Sequence, residues 1–267
     1  MGYTTINMKI LLSKFCNHCL EEAQQKNEKY DLDHRENVLV ELNDEGVYSF
    51  NCPKNHTQWV FTFEEIFQIL YDLGVRSLCD GYTREAVASF ATSLERYYEY
   101  IIKLFLLSED VNDETLENYW NIILKQSERQ YGAYLSLYCN KTKKPPNIQS
   151  NKWVEFRNKI IHYGHIPSEI KTLEYAQYIY DLIFSGLAEL IEIFPDNYRA
   201  LINNVTRFRI RILEKKYPGI NKAGSRSAPT IIQTRTIGGN LFKKVNIVEE
   251  VAKYRSSDRL LKIMYKN

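Results

Sequence analysis

ASFATSLERYYEYIIKLFLL, residues 88–107, sets apolar side chains at Phe90, Ala91, Leu94, Tyr97, Tyr98, Ile101, Ile102 and Phe105. With Val87 before them, the steps of three and four residues line one face of a long α-helix. Towards the C-terminus a second helical region is expected over Glu114–Tyr138, begun by Asn112 or Asp113 as a cap and ended before the lysine- and proline-rich loop 140–147. A short helix from Asn151 to Ile161 should stop at Gly164. A further helix over Ser168–Phe194, with Leu173, Ala176, Ile179, Ile183, Leu187, Leu190 and Ile191 on its buried side, should end at Pro195. Towards the N-terminus, apolar residues at 66, 69, 70 and 73 predict a short helix closed by Gly74. The fold class is therefore mainly α, a helical bundle of four or five members.

Both flanks of the bundle differ from it. The first 63 residues have strand and turn character: VLVEL (38–42) and VYSFNC (47–52) flank the turn tetrad NDEG as a β-hairpin, and TQWVFTF (57–63) adds a strand. The tail is mostly helical and basic, with a helix over 198–216, a Gly/Ser/Pro-containing loop at 218–229 and a last helix near 248–265. The expected organisation is a small β module over 1–63, a connecting helix over 64–81, a helical domain over 82–195 and a C-terminal extension over 196–267.

Composition places the chain in the globular class: 267 residues, 44% hydrophobic and 25% charged, with 11 Gly and 7 Pro. No apolar run approaches the roughly 18 residues of a membrane span, so no membrane partner is expected. The MKILL run breaks at Ser13-Lys14 with no cleavage site behind it, which argues against a secretory signal. Ile6 stands where a myristoylation signal after Gly2 needs Ser or Thr. Five cysteines, an odd number, argue for a reducing, cytoplasmic setting. The net charge of +2 conceals a division at Tyr198, with −10 up to it and +12 after it. The basic tail could track an anionic polymer, or it could dock on the acidic body of its own or a sister chain.

Cys16 and Cys19 form a C-x2-C pair, and Cys52 and His56 a C-x3-H pair. Thiolate and imidazole are borderline-soft donors, and two short knuckles joined by a hairpin would close one tetrahedral zinc site with no open position. Such a zinc would be structural, supplying folding free energy to a module with little core. His18, between the first two cysteines, is an alternative donor to His56. Cys79 and Cys139 have no ligand spacing and are expected as buried or half-buried free thiols.

The segment Trp153–Gly164 places Arg157, Asn158 and His162 at one helix end. An Arg four to six residues before a His arises by chance about once in a chain of this composition, so spacing alone decides nothing. Asn158 and His162 share a helical face, with Arg157 about 100° round from Asn158. All three could line one groove while Trp153, Phe156 and Ile160 point into the bundle. Equally, His162 could cap the helix while Arg157 makes a surface ion pair. Glu95 and Arg96, midway along the long helix, read as solvated charges.

The helix order and the motif Arg157-Asn158-x3-His162 together resemble the HEPN domains, the "higher eukaryotes and prokaryotes nucleotide-binding" family, over about residues 82–195. The N-terminal module resembles a zinc ribbon. The HEPN resemblance implies a metal-independent endoribonuclease, a toxin or antiphage effector, with RNA as substrate, no catalytic cofactor and an antitoxin or defence-system partner. It also implies a homodimer whose two motifs share a cleft. Arg157, Asn158 and His162 would then be the catalytic residues. RNA carries its own nucleophile, the 2′-OH, so the chemistry needs only a proton carrier and a cation beside the phosphate. The family also contains members without catalysis, which leaves a non-catalytic nucleic-acid- or protein-binding module as the alternative.

Overall fold

The computed structural model describes residues 9–14, 16–30, 36–225, 230–234 and 243–256. The chain divides into two compact units, one of Met1–Glu65 with Arg209–Thr230, the other of Ile66–Phe208 with Ile231–Leu260. The stretch read as a C-terminal extension thus contributes to both.

In the first unit β1 (Lys9–Lys14) precedes α1 (Asn17–Gln25), followed by β2 (Glu36–Glu41), β3 (Val47–Asn51) and β4 (Thr57–Thr62). The expected pairing of residues 38–42 with 47–52 is not what forms. β2 pairs antiparallel with β1, Leu12 opposite Val38, while β3 pairs with β4, Ser49 opposite Trp59. The tight turn lies between β3 and β4, where Asn55 takes a φ of +63° and Cys52 N–H donates to the His56 carbonyl at 3.1 Å. The NDEG turn is present, with Gly46 at φ +60°, but it joins two sheets, and a cleft of about 470 Å³ opens along β3 with Val38, Val40 and Trp59 on its walls. Part of the segment expected as loop, Asn221–Ser225, is a fifth strand, β5, parallel to β4.

Alternation divides the buried side chains of this unit. Tyr48, Phe50 and Val60 join Leu12, Cys16 and Cys52 in one cluster, and Val47 and Phe61 join Leu213 and Ile220 in another. Arg209 closes the second cluster: its Nη1 donates to the carbonyls of Thr62 at 2.9 Å and Glu64 at 3.1 Å, and its Nη2 to that of Glu45 at 3.1 Å.

The second unit is helical: α2 (Ile66–Cys79), α3 (Thr83–Ser108), α4 (Asp113–Ile123), α5 (Ser127–Thr142), α6 (Asn151–Ile161), α7 (Glu169–Ile193), α8 (Tyr198–Lys216, its last turns belonging to the first unit) and α9 (Ile247–Ser256). The chain is thus mainly helical behind a small β module. The long apolar stripe of α3 is buried as its spacing requires, Phe90, Ile101, Ile102 and Phe105 being inaccessible to solvent. Each such side chain contributes roughly 1.5–3 kcal/mol of transfer free energy. α2 does not stop at Gly74. That glycine is buried in mid-helix, and a Cβ there would lie 2.5 Å from the Phe90 ring, so it serves the close approach of α2 and α3 while Gly81 (φ +85°) ends the turn after α2. The helical region expected over 114–138 consists of two helices, α4 capped by the Asn112 side chain on Thr115 N–H at 2.9 Å, and α5, which ends at Lys143 with φ +59°. Residues 257–265 of the last expected helix lie outside those described. Among the described residues no helix is long and apolar enough to cross a membrane.

Candidate functional site

Among the described residues two groups of side chains are candidates for a functional site, one in each unit. In the first, Cys16 is the N-cap of α1, Cys19 lies in its first turn, and Cys52 and His56 bracket the β3–β4 turn. The first pair is therefore borne on a helix start rather than on a knuckle. The four donor atoms lie within 4.8 Å of one another. His56 Nδ1 is 3.7 Å from Cys16 Sγ, 3.4 Å from Cys19 Sγ and 3.6 Å from Cys52 Sγ, and the sulfurs of Cys19 and Cys52 are 3.7 Å apart. Around a small tetrahedral dication, bonds of about 2.3 Å to sulfur and about 2.0 Å to nitrogen separate the donors by about 3.5–3.8 Å. The spacings match, and these four residues could bind a metal ion.

Electrostatics at the cluster point the same way. Burial, then the neighbouring thiols of Cys16 and Cys52, push the Cys19 thiol up to about 12. Burial opposes ionisation of Cys52 as well, but hydrogen bonds from the backbone N–H groups of His56 and Lys54 and from the Cys16 and Cys19 thiols together hold that thiol below its ordinary value. Three crowded sulfurs repel one another's charge, and a dication among them removes the conflict. Two residues that spacing did not single out support the cluster. Gln58, buried on β4, donates from Nε2 to Cys16 Sγ at 2.5 Å and accepts from Asn17 N–H at 3.1 Å. Glu22 stands 3.1 Å from His56 Nε2. Glu22 was legible in one respect, since it continues the three-residue step Cys16, Cys19, Glu22. His18 lies on the outside, its side chain 55% exposed and 3.9 Å from Glu21, so it is not among the four. Cys79 is half-buried, whereas Cys139, expected to be at least half-buried, is exposed.

The second group sits at the end of α6. Trp153 and Ile160 anchor this helix in the core, Trp153 stacking on Tyr178 at 5.5 Å, and the Tyr178 hydroxyl accepts from Ser150 N–H at 2.7 Å. Arg157 Nη1 donates to Asn158 Oδ1 at 3.0 Å. Its Nη2 donates to Glu95 Oε1 on α3 at 2.6 Å, with the two side chains only 28% and 34% exposed. Glu95 is thus a partner of the motif rather than a solvated charge; its signal was its place at the margin of the buried stripe, beside Leu94. Arg96 is also engaged, with buried Glu99. Tyr175, whose phenol burial pushes up, lies close enough to feel both Arg157 and Glu95. His162 occupies the C-cap of α6, its N–H donating to the Asn158 carbonyl at 2.9 Å, before Gly164 turns the chain at φ +71°. The His162 side chain is exposed, and among the described residues its ring makes no hydrogen bond or ion pair. The structure therefore joins Arg157, Asn158 and Glu95, and does not bring the exposed His162 imidazole, at the C-cap of the same helix, into contact with them.

The cations of the tail are partly spent within the chain. Arg209 holds three carbonyls and Lys216 pairs with Glu45 in the first unit, while in the second Lys244 lies 2.8 Å from Asp181 and Arg255 2.7 Å from Glu169. Three of these four pair with carboxylates, and Arg209 with backbone carbonyls. Neither family models, nor curated proteins, nor solved structures give a match to this chain.

Proposed function

We propose that this protein is a metal-independent endoribonuclease of HEPN type, acting as a toxin or antiphage effector. The observation that carries the reading is the half-buried Arg157, hydrogen-bonded to Asn158 and Glu95, five residues before an exposed imidazole that has no partner among the described residues. In the proposed step His162 takes the proton of a ribose 2′-OH, and the 2′-oxygen attacks the adjacent phosphorus. The bond to the 5′-oxygen breaks, and that oxygen accepts a proton, leaving a 2′,3′-cyclic phosphate and a 5′-hydroxyl. Arg157 turns its guanidinium to the phosphoryl oxygens as charge grows on them. Asn158 and Glu95 hold that guanidinium in place. A second copy of the chain would bring a second His162, so that one imidazole acts as base and the other as acid. Tyr163, Ile166 and Ile170, in the segment that follows His162, are 76%, 82% and 70% exposed and would offer apolar contacts to that copy.

The metal centre of the first unit is read as structural zinc, held by Cys16, Cys19, Cys52 and His56 with every coordination position filled by protein. It takes no part in the cleavage. One observation favours the non-catalytic alternative: Arg157 already has a carboxylate partner, as a purely structural ion pair would. The deciding experiment incubates several RNAs with the wild type and with His162→Ala, both shown to be folded. Wild-type cleavage to cyclic-phosphate ends that falls at least about 100-fold in the variant supports the enzyme. Intact RNA with both proteins leaves the binding module.

A further inference from the structure

Glu22 lies outside the four donors but touches the one that closes the set. Its Oε1 is 3.1 Å from His56 Nε2, and its Oε2 is 3.2 Å from Lys54 Nζ. The opposite nitrogen of the same ring, Nδ1, faces the sulfurs of Cys16, Cys19 and Cys52. Each ring nitrogen thus has its own neighbours, so that with an ion bound Nδ1 would give its lone pair to the ion and Nε2 would turn its N–H to the carboxylate. Cys16, Cys19 and Glu22 follow one another at three-residue steps along α1, so the helix that supplies two sulfurs also supplies the group that aims the imidazole. The turn that supplies Cys52 and His56 also supplies Lys54, which steadies Glu22 from its other oxygen.

We propose that Glu22 is the positioning residue of the metal centre: by accepting the Nε2 proton of His56 it selects Nδ1 as the ligand atom, orients the ring and governs how firmly the ion is retained. The inference rests on the metal reading above and adds to it a residue that donates nothing to the ion. A carboxylate on the far nitrogen raises the basicity of a ligating imidazole, and loss of such a partner costs roughly 10–100-fold in metal affinity. The Glu22 side chain is 40% exposed, so its pairs with Lys54 and His56 contribute little to folding by themselves. Its effect should be felt through the ion.

The test uses the whole chain loaded with zinc, in the wild type and in Glu22→Ala, Glu22→Gln and Glu21→Ala. Transfer of zinc to a chromophoric chelator is followed alongside the visible absorption of the cobalt(II)-loaded proteins. Glu22→Ala should retain zinc about 10–100-fold less firmly, Glu22→Gln, which keeps an acceptor oxygen, should fall between, and Glu21→Ala should match the wild type. The cobalt spectrum should keep its thiolate charge-transfer bands in every variant but shift its ligand-field envelope in Glu22→Ala. If Glu22→Ala releases zinc at the wild-type rate with an unchanged cobalt spectrum, the role of Glu22 is overturned while the metal centre stands. If Glu22→Ala fails to fold, Glu22→Gln decides by the same two measurements. If the folded wild type takes up neither zinc nor cobalt, the metal centre and the role of Glu22 fall together.

Discussion

The helical unit buries one continuous apolar core, from Phe67 on α2 through Phe90, Ile101 and Tyr175 to Val251 on α9, whereas the first unit divides its buried side chains between two small clusters on either side of a sheet. The contrast shows two sources of stability in one chain. Hydrophobic burial suffices for the helices, because each long helix hides a stripe on its neighbours. The first unit has smaller apolar clusters, and beside them it carries four groups that could bind a metal ion and the end of α8, where Leu213 and Arg209 close the second cluster.

The comparison breaks most directly on metal removal. If the proposed zinc is bound, chelation, or Cys52→Ser, should unfold the first unit and leave the helical unit standing, because a structural zinc contributes on the order of 10 kcal/mol where the core is small. Hydrogen exchange resolved by residue checks this: loss of protection confined to β3, β4 and α1 is expected, and loss throughout α3 would merge the two regimes. Next in size, Leu213→Ala should cost about 2–5 kcal/mol and act on the first unit alone, seen as a lowered denaturant midpoint for that transition. In the helical unit, Gly74→Ala forces a methyl group against the Phe90 ring and should cost about 1–3 kcal/mol, lowering the helical melting temperature without altering metal content.

The smallest effect is a pH dependence at α9. Hydrogen bonding to Arg255 holds the Glu169 carboxyl below its ordinary value of 4.5, so the pair stabilises the folded form at neutral pH and that contribution is lost as pH falls through the depressed value. Both side chains are 40% or more exposed, and the change should be slight. Amide exchange around Val251 should quicken modestly on acidification, and Arg255→Ala should abolish that extra pH dependence.

Much of the helical architecture was legible because helix periodicity is local: Phe90, Leu94, Tyr97, Ile101 and Phe105 announce a buried face whatever packs on it. Asn112 and Gly164 likewise marked true boundaries, since capping and positive φ depend only on the nearest residues. Gly74 misled for the complementary reason, since nothing local distinguishes a glycine that ends a helix from one that admits Phe90. Strand pairing failed similarly. The sequence 38–52 has the form of a hairpin, but β2 finds its partner in β1, and alternation names a face without naming a neighbour.

At the metal cluster, residue type and spacing were enough to name Cys16, Cys19, Cys52 and His56, because donor chemistry is a property of short segments, whereas Arg157, Asn158 and His162 were singled out by a family resemblance that spacing alone could not supply. The sequence by itself also determined that the chain is mainly helical, with an acidic body and a basic tail. Tertiary structure alone decided that the two cysteine pairs converge, that Glu95 meets Arg157 across 62 positions, that Glu22 stands behind His56, and that Arg209, Lys216, Lys244 and Arg255 are engaged within the chain. The physical reason is the same in each case. A side chain's chemistry is written at its own position, but the partner that sets its charge, orientation and exposure comes from a distant segment, brought there by burial of apolar surface neither residue belongs to.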